Sequence, residues 1–86
     1  MRLDKYLKVS RIIKRRIVAA NAASSERVLV NNNIAKPSKD IKVGDIITIE
    51  YFKRKLVVKV LEVKENVKAQ DADKMYEVLE MNEAND

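Results

Sequence analysis

Seven cations stand in the first sixteen residues, Arg2, Lys5, Lys8, Arg11, Lys14, Arg15 and Arg16, against one acid, Asp4. Seven against one leaves +6, more than the +5 of the whole 86-residue chain. Groups of this type and density bind phosphate: an arginine forks onto two oxygens of one anion, and a lysine adds a point charge. Arg2 and Arg16 are the candidates for the forked contact, with Lys8, Lys14 and Arg15 adding salt-sensitive attraction. Asp4 needs its own reason. A carboxylate beside phosphate is unfavourable unless it orients an arginine or accepts from a ribose hydroxyl or base amine. A stabilising charge in the first turn of a helix is the other reading, and the two are compatible.

These cations need an element that presents them together. At 100° per residue Leu3, Tyr6 and Leu7 share one face, while Arg2, Lys5, Lys8 and Arg11 sweep across the other, which predicts an amphipathic helix. The register fails beyond it, because Ile12 falls on the charged side and Lys14 on the apolar one. A bend over residues 10–13 and a second short helix starting near Arg16 would bring basic side chains from two elements onto one surface. The alanine-rich run 17–25 fits that helix, packed closely on its neighbours.

Val28 to Val30 then read as a strand, and Asn31-Asn32-Asn33 as a tight turn, since asparagine tolerates left-handed angles. Ile34 and Ala35 can form a brief return strand that Pro37 ends or confines to a sheet edge. Residues 38–42 are a polar connection. Gly44 is the only glycine and reads as a turn position with positive φ. Residues 46–52 alternate as a strand and lead through Lys53-Arg54-Lys55, a basic tip, into the return strand 56–63. That tip is either a second phosphate contact or a solubilising loop, and the inner face of 56–63 is not decidable from alternation. Ala72, Met75, Tyr76 and Leu79 fit helical spacing, although Met75 to Leu79 could also read as strand; a C-terminal helix is expected, with a frayed end from Met81.

One domain with a small core is what this length allows. Cysteine and histidine are both absent, which removes disulfides, thiolate metal sites and the commonest general base, so neither a metal centre nor catalysis is expected. No apolar run is long enough to span a membrane, and a cytoplasmic protein is expected. From Asp71 onward six acids face one base, and without that tail the body carries +10. Such a body attracts a polyanion, of which nucleic acid is the commonest, and the tail should point away from the binding face.

Several motifs together resemble a known family: Arg2-Leu-Asp4-Lys5-x-Leu7, Arg15-Arg16-x-x-Ala19, Arg27-Val-x-Val-Asn31 and Lys42-x-Gly44-Asp45. In order and spacing, over about the first fifty residues, they are similar to the S4 RNA-binding domain. The link from Lys8 to Arg16 and the ending with Met75-Tyr76 are similar to the small stand-alone S4 proteins of bacterial ribosome-associated quality control, the RqcP-like group. Heat shock protein 15 is a more distant relative.

The resemblance implies an α+β fold of S4 type, with two short N-terminal helices packed on a small, mostly antiparallel sheet. An RNA-binding domain is expected at residues 1–68, followed, on the spacing and charge of the ending, by an acidic helix with a frayed tail at 69–86. Its RNA-contacting motif corresponds to Arg2, Asp4, Lys5 and Arg16, to which Lys8, Lys14, Arg15 and Asn31 are added on charge and placement. The resemblance implies binding to large-subunit rRNA and tRNA on large ribosomal subunits that still carry peptidyl-tRNA, with an NEMF-type factor that tails the stalled chain with alanine as partner. Nothing in the residues suggests a cofactor or an obligate dimer, so a monomer without cofactor is expected. Two departures stand out: Glu26 and Asn32 occupy positions that are commonly glycine, and Ile17 stands where a Ser or Thr often caps the second helix. A general structured-RNA or ribosome-assembly module, or an adaptor binding a protein through the acidic tail, is the alternative.

Overall fold

The computed structural model describes residues 1–12, 27–51 and 54–83. Helix α1 spans Leu3–Val9, and Leu3, Tyr6 and Leu7 are its buried residues, as the amphipathic pattern requires. Arg2, Lys5 and Lys8 are exposed. The helix ends at Ser10, whose N–H donates to Tyr6 O at 2.9 Å, and Arg11 takes a left-handed φ of 63°. That conformation is rare outside Gly and Asn and turns the chain sharply, so Ile12 returns to the core fully buried. The expected bend is therefore present, centred on Ser10 and Arg11. The second helix and the departures at Ile17 and Glu26 lie outside the described residues.

Among the described residues five strands follow: β1 Arg27–Val30, β2 Asn33–Ile34, β3 Ile46–Tyr51, β4 Arg54–Val60 and β5 Tyr76–Glu83. They form one antiparallel sheet in the order β2-β1-β3-β4-β5. Asn31 and Asn32, with φ of 52° and 71°, make a two-residue β1–β2 connection. Two consecutive positive φ values match the right-handed twist of the strands, and asparagine tolerates them. Gly44, at φ 97°, sits third in a Lys42–Asp45 turn closed by Asp45 N–H to Lys42 O at 3.1 Å.

Alternation sorts the sheet into two faces. Val28, Val30, Ile47, Ile49, Leu56, Val58 and Val60 face α1 and join Leu3, Tyr6, Leu7, Ile12, Ile41, Met75 and Tyr76 in one core. The inner side of β4, undecidable from its own apolar sequence, is set by its pairing with β3, where Leu56 opposes Ile49 and Val58 opposes Ile47. On the opposite face Arg27 pairs with Glu50 at 2.9 Å.

Two expectations are corrected. The basic tip is shorter than Lys53-Arg54-Lys55: Tyr51 already pairs with Arg54, so Arg54 and Lys55 belong to β4, and Lys53 lies outside the described residues. The C-terminal helix is a 3₁₀ helix over Ala69–Met75 that stops where β5 begins. The spacing of Met75, Tyr76 and Leu79 suits either period, and the free edge of β4 decides for strand. Leu79 is the extra residue at a bulge, because Val57 opposes Glu80 and Val58 opposes Val78. Residues through Glu83 are therefore paired in the sheet rather than frayed.

Candidate nucleic-acid interface

The start of the chain is tied to residues 37–41. Leu3 N–H donates to Lys39 O at 2.7 Å, Asp4 N–H to Pro37 O at 3.0 Å, and Ile41 N–H to Met1 O at 2.7 Å. Two of the donors that open any helix are thereby satisfied by a loop distant in sequence. The terminal ammonium donates to Asp40 Oδ1 at 2.9 Å and holds the Asp40 carboxyl below the usual carboxylate range. The start of α1 thus has a fixed position against the sheet.

On this base Arg2 and Asp4 form a forked pair, Arg2 Nε to Asp4 Oδ1 at 3.1 Å and Arg2 Nη2 to Asp4 Oδ2 at 3.1 Å. Asp4 Oδ1 also accepts from Lys5 N–H at 2.8 Å. The Arg2 hydrogen bond, opposed by desolvation and assisted by Lys5 N–H, lowers the Asp4 pKa. Arg2 keeps 62% of its side-chain surface exposed, so the guanidinium is oriented yet open to a ligand on its other edge. Both readings of Asp4 hold at once: it lies in the first turn of α1 and it orients an arginine.

Lys5 reaches across to the carboxylate of Glu65, sixty residues away, and lowers its pKa through that hydrogen bond. Lys8, one turn further along α1, is exposed. Lys14, Arg15 and Arg16 lie outside the described residues. Asn31 is on the surface, but its side chain is engaged: Nδ2 donates to Asp45 Oδ1 at 3.2 Å and Oδ1 accepts from Ile46 N–H at 3.0 Å. Asp45 in turn accepts from Lys42 N–H at 2.9 Å. Asn31 therefore locks two turns together.

Sequence reasoning singled out none of Lys36, Lys39 and Lys42 as site residues: Lys39 and Lys42 fell in the polar connection, and Lys42 entered only through the Lys42-x-Gly44-Asp45 motif. All three are exposed, and the segment carrying them lies against the start of α1. Their three-residue spacing was visible; the backbone hydrogen bonds that hold their segment against the start of α1 have no local signature. Lys55, by alternation with Leu56, lies on the sheet face opposite α1, as do the exposed acids Glu77 and Glu80, opposite Lys59 and Val57. Among the described residues no three His, Cys, Asp or Glu side chains cluster to hold a metal, and no helix is long and apolar enough to cross a membrane.

Residues 1–47 match the model of the S4 domain family. The RQC P-site tRNA stabilizing factor of Streptococcus pneumoniae is 54% identical over 79 residues, covering 92% of this chain and 90% of that protein. The Bacillus subtilis factor of the same name is 46% identical, covering 92% of each. Among solved structures, trimeric Vibrio cholerae heat shock protein 15 superposes with a TM-score of 0.71 at 29% identity, over 91% of this chain and 80% of that one.

Proposed function

Since the chain belongs to the S4 domain family, and to one family with the RQC P-site tRNA stabilizing factors, we propose that it binds RNA in ribosome-associated quality control. It holds rRNA and tRNA on large ribosomal subunits obstructed by peptidyl-tRNA and supports alanine tailing of the stalled chain by an NEMF-type factor. It acts in the cytoplasm, as a monomer and without catalysis of its own. The carrying observation is similarity along nearly the whole chain to relatives of that name, 54% over 92% of its length for the Streptococcus pneumoniae factor.

The proposed interface is the outward side of α1 with the basic segment that follows it. Arg2, held by Asp4, and Arg16 grip phosphate; Lys5, Lys8, Lys14 and Arg15 add attraction; Asn31 fixes the neighbouring turns. RNA helices conceal their bases in a deep groove, so a rigid basic face reads phosphate spacing, 2′-hydroxyls and unstacked loop bases. Residues 1–68 form the binding unit in this proposal, and β5 closes its sheet.

Co-sedimentation with separated small subunits, large subunits and whole ribosomes at two salt concentrations tests it. Wild type should travel with large subunits in a salt-dependent way, and folded Arg2→Glu and Arg16→Glu variants should not. Equal binding of wild type to all particles, or undiminished binding by both variants, overturns the assignment.

A further inference from the structure

Residues 31–44 carry three cations, Lys36, Lys39 and Lys42, and one acid, Asp40. That acid is already engaged, because Asp40 Oδ1 accepts from the terminal ammonium at 2.9 Å. All three lysines are exposed, and among the described residues none of their ammonium groups is in an ion pair, whereas Arg2, Lys5 and Arg27 each are. A cation with no carboxylate to release has its full charge available to an incoming anion.

Two of the three line a cleft of about 310 Å³ at the β2 edge. Asn33 and Ser38 line it as well, so two ammonium groups, a hydroxyl and a carboxamide surround one opening. The register fixes the side on which Asn33 stands: it opposes the core residue Val30, on the α1 face of the sheet. Asn33 Nδ2 reaches Asn31 O at only 3.4 Å, long for such a bond, so exchanging that acceptor for another costs little. Among the described residues that line the cleft there is neither a carboxylate nor an aromatic ring, a set that suits phosphate oxygens rather than the face of a base. The cleft is also fixed against the helix. Leu3 N–H donates to Lys39 O and Asp4 N–H to Pro37 O, and Arg2 bridges Asp40, the residue after Lys39. The segment that lines the cleft is therefore a backbone neighbour of Arg2.

We propose that this cleft binds a phosphodiester group of RNA, with Lys36 and Lys39 supplying charge-assisted hydrogen bonds, Ser38 and Asn33 neutral ones, and Lys42 further attraction from the same segment. The proposal rests on the reading of the chain as an RNA binder and adds a second grip to it, at the β2 edge as well as on α1. Phosphate contacts set register and orientation, and two grips on one hydrogen-bonded unit fix how the RNA backbone crosses the start of α1.

Fluorescence anisotropy of a labelled RNA stem-loop at four salt concentrations tests it, since phosphate contacts do not depend on base sequence. Each lysine that neutralises a phosphate adds about one unit to the slope of log K on log salt, and a neutral donor adds none. Lys36→Ala combined with Lys39→Ala should flatten the slope by about two units. Ser38→Ala should weaken binding about three- to ten-fold at an unaltered slope. The charge-matched control is Lys55→Ala combined with Lys59→Ala: both residues alternate with the core residues Leu56, Val58 and Val60, so they lie on the opposite sheet face, and the wild-type slope should be kept. Thermal melts verify that each variant is folded. An unchanged slope in the first pair, an equal fall in the control pair, or undiminished binding by Ser38→Ala overturns the cleft and leaves the RNA reading standing. Failure of wild type to bind the stem-loop in a salt-dependent way overturns both.

Discussion

Asp4 holds Arg2 by two parallel hydrogen bonds of 3.1 Å on the exposed start of α1. A simple charge argument says that removing an acid beside a phosphate site strengthens binding; the fork says the reverse. Without the carboxylate the arginine regains its rotamers and must be ordered by RNA alone. Asp4→Asn is therefore expected to weaken RNA binding about three- to ten-fold, the worth of one charge-assisted bond. Fluorescence anisotropy on a structured RNA measures it. Tighter binding by the variant would leave Asp4 only its role in the helix first turn.

Glu65 has the opposite effect on its partner. It occupies the ammonium of Lys5 in the absence of RNA, so Lys5 must leave a carboxylate before it meets a phosphate. Glu65→Gln should free that charge, tighten RNA binding a few-fold and steepen the dependence of log K on log salt by about one unit. An affinity titration at four salt concentrations gives both quantities. An unchanged slope would mean that Lys5 does not reach RNA.

Tyr6 links α1 to the far end of the chain, its hydroxyl donating to Met75 O at 2.8 Å from a fully buried ring. Tyr6→Phe keeps the packing and strands that carbonyl, which should cost about 1–3 kcal/mol of stability. RNA affinity of the folded variant should match wild type, since the bond lies in the core. Urea unfolding and anisotropy together separate the two effects.

Gly44 and Asn32 offer a matched pair of backbone tests. A Cβ on Gly44 would meet nothing within 4 Å, so Gly44→Ala carries only the strain of φ 97°, about 1 kcal/mol. Asn32, at φ 71°, is the second residue of a connection that favours Asn-Gly, and Asn32→Gly should be neutral or slightly stabilising. Thermal melts that rank the two the other way would contradict the turn assignments.

What was legible in the sequence was local. Leu3, Tyr6 and Leu7 repeat at helical spacing, asparagine and glycine mark positive φ, and Ile47 and Ile49 alternate. Each pattern states its own structure. The chain cannot state locally what a distant partner decides. The inner face of β4 comes from the register with β3, and the strand from Tyr76 onward from the free edge of β4, where helical spacing was equally satisfied. The same limit hid part of the candidate site. Arg2, Asp4, Lys5 and Lys8 stand out by charge, but Lys39 joins them through Leu3 N–H, and Asn31 is engaged by Asp45, fourteen residues on.

Acid and alkali should each unfold the protein through identifiable groups. Asp4, Asp40 and Glu65 have pKa values lowered by Arg2, the terminal ammonium and Lys5, in each case chiefly through a hydrogen bond. A lowered folded pKa gives stability that is complete above the unfolded value, about 4, and lost as pH falls through the folded one. Tyr6 is shifted the other way, upward, by burial and then by Tyr76. Its neutral form is favoured in the fold, so that contribution is complete below about pH 10 and declines as pH rises beyond it. Thermal midpoints should form a plateau from about pH 5 to 9 with a fall on each side. The double variant Asp40→Asn, Glu65→Gln should flatten the acid side, and Tyr6→Phe the alkaline side, each from a lower plateau. An acid limb unaltered by the double variant would place the titrating carboxylates elsewhere in the chain.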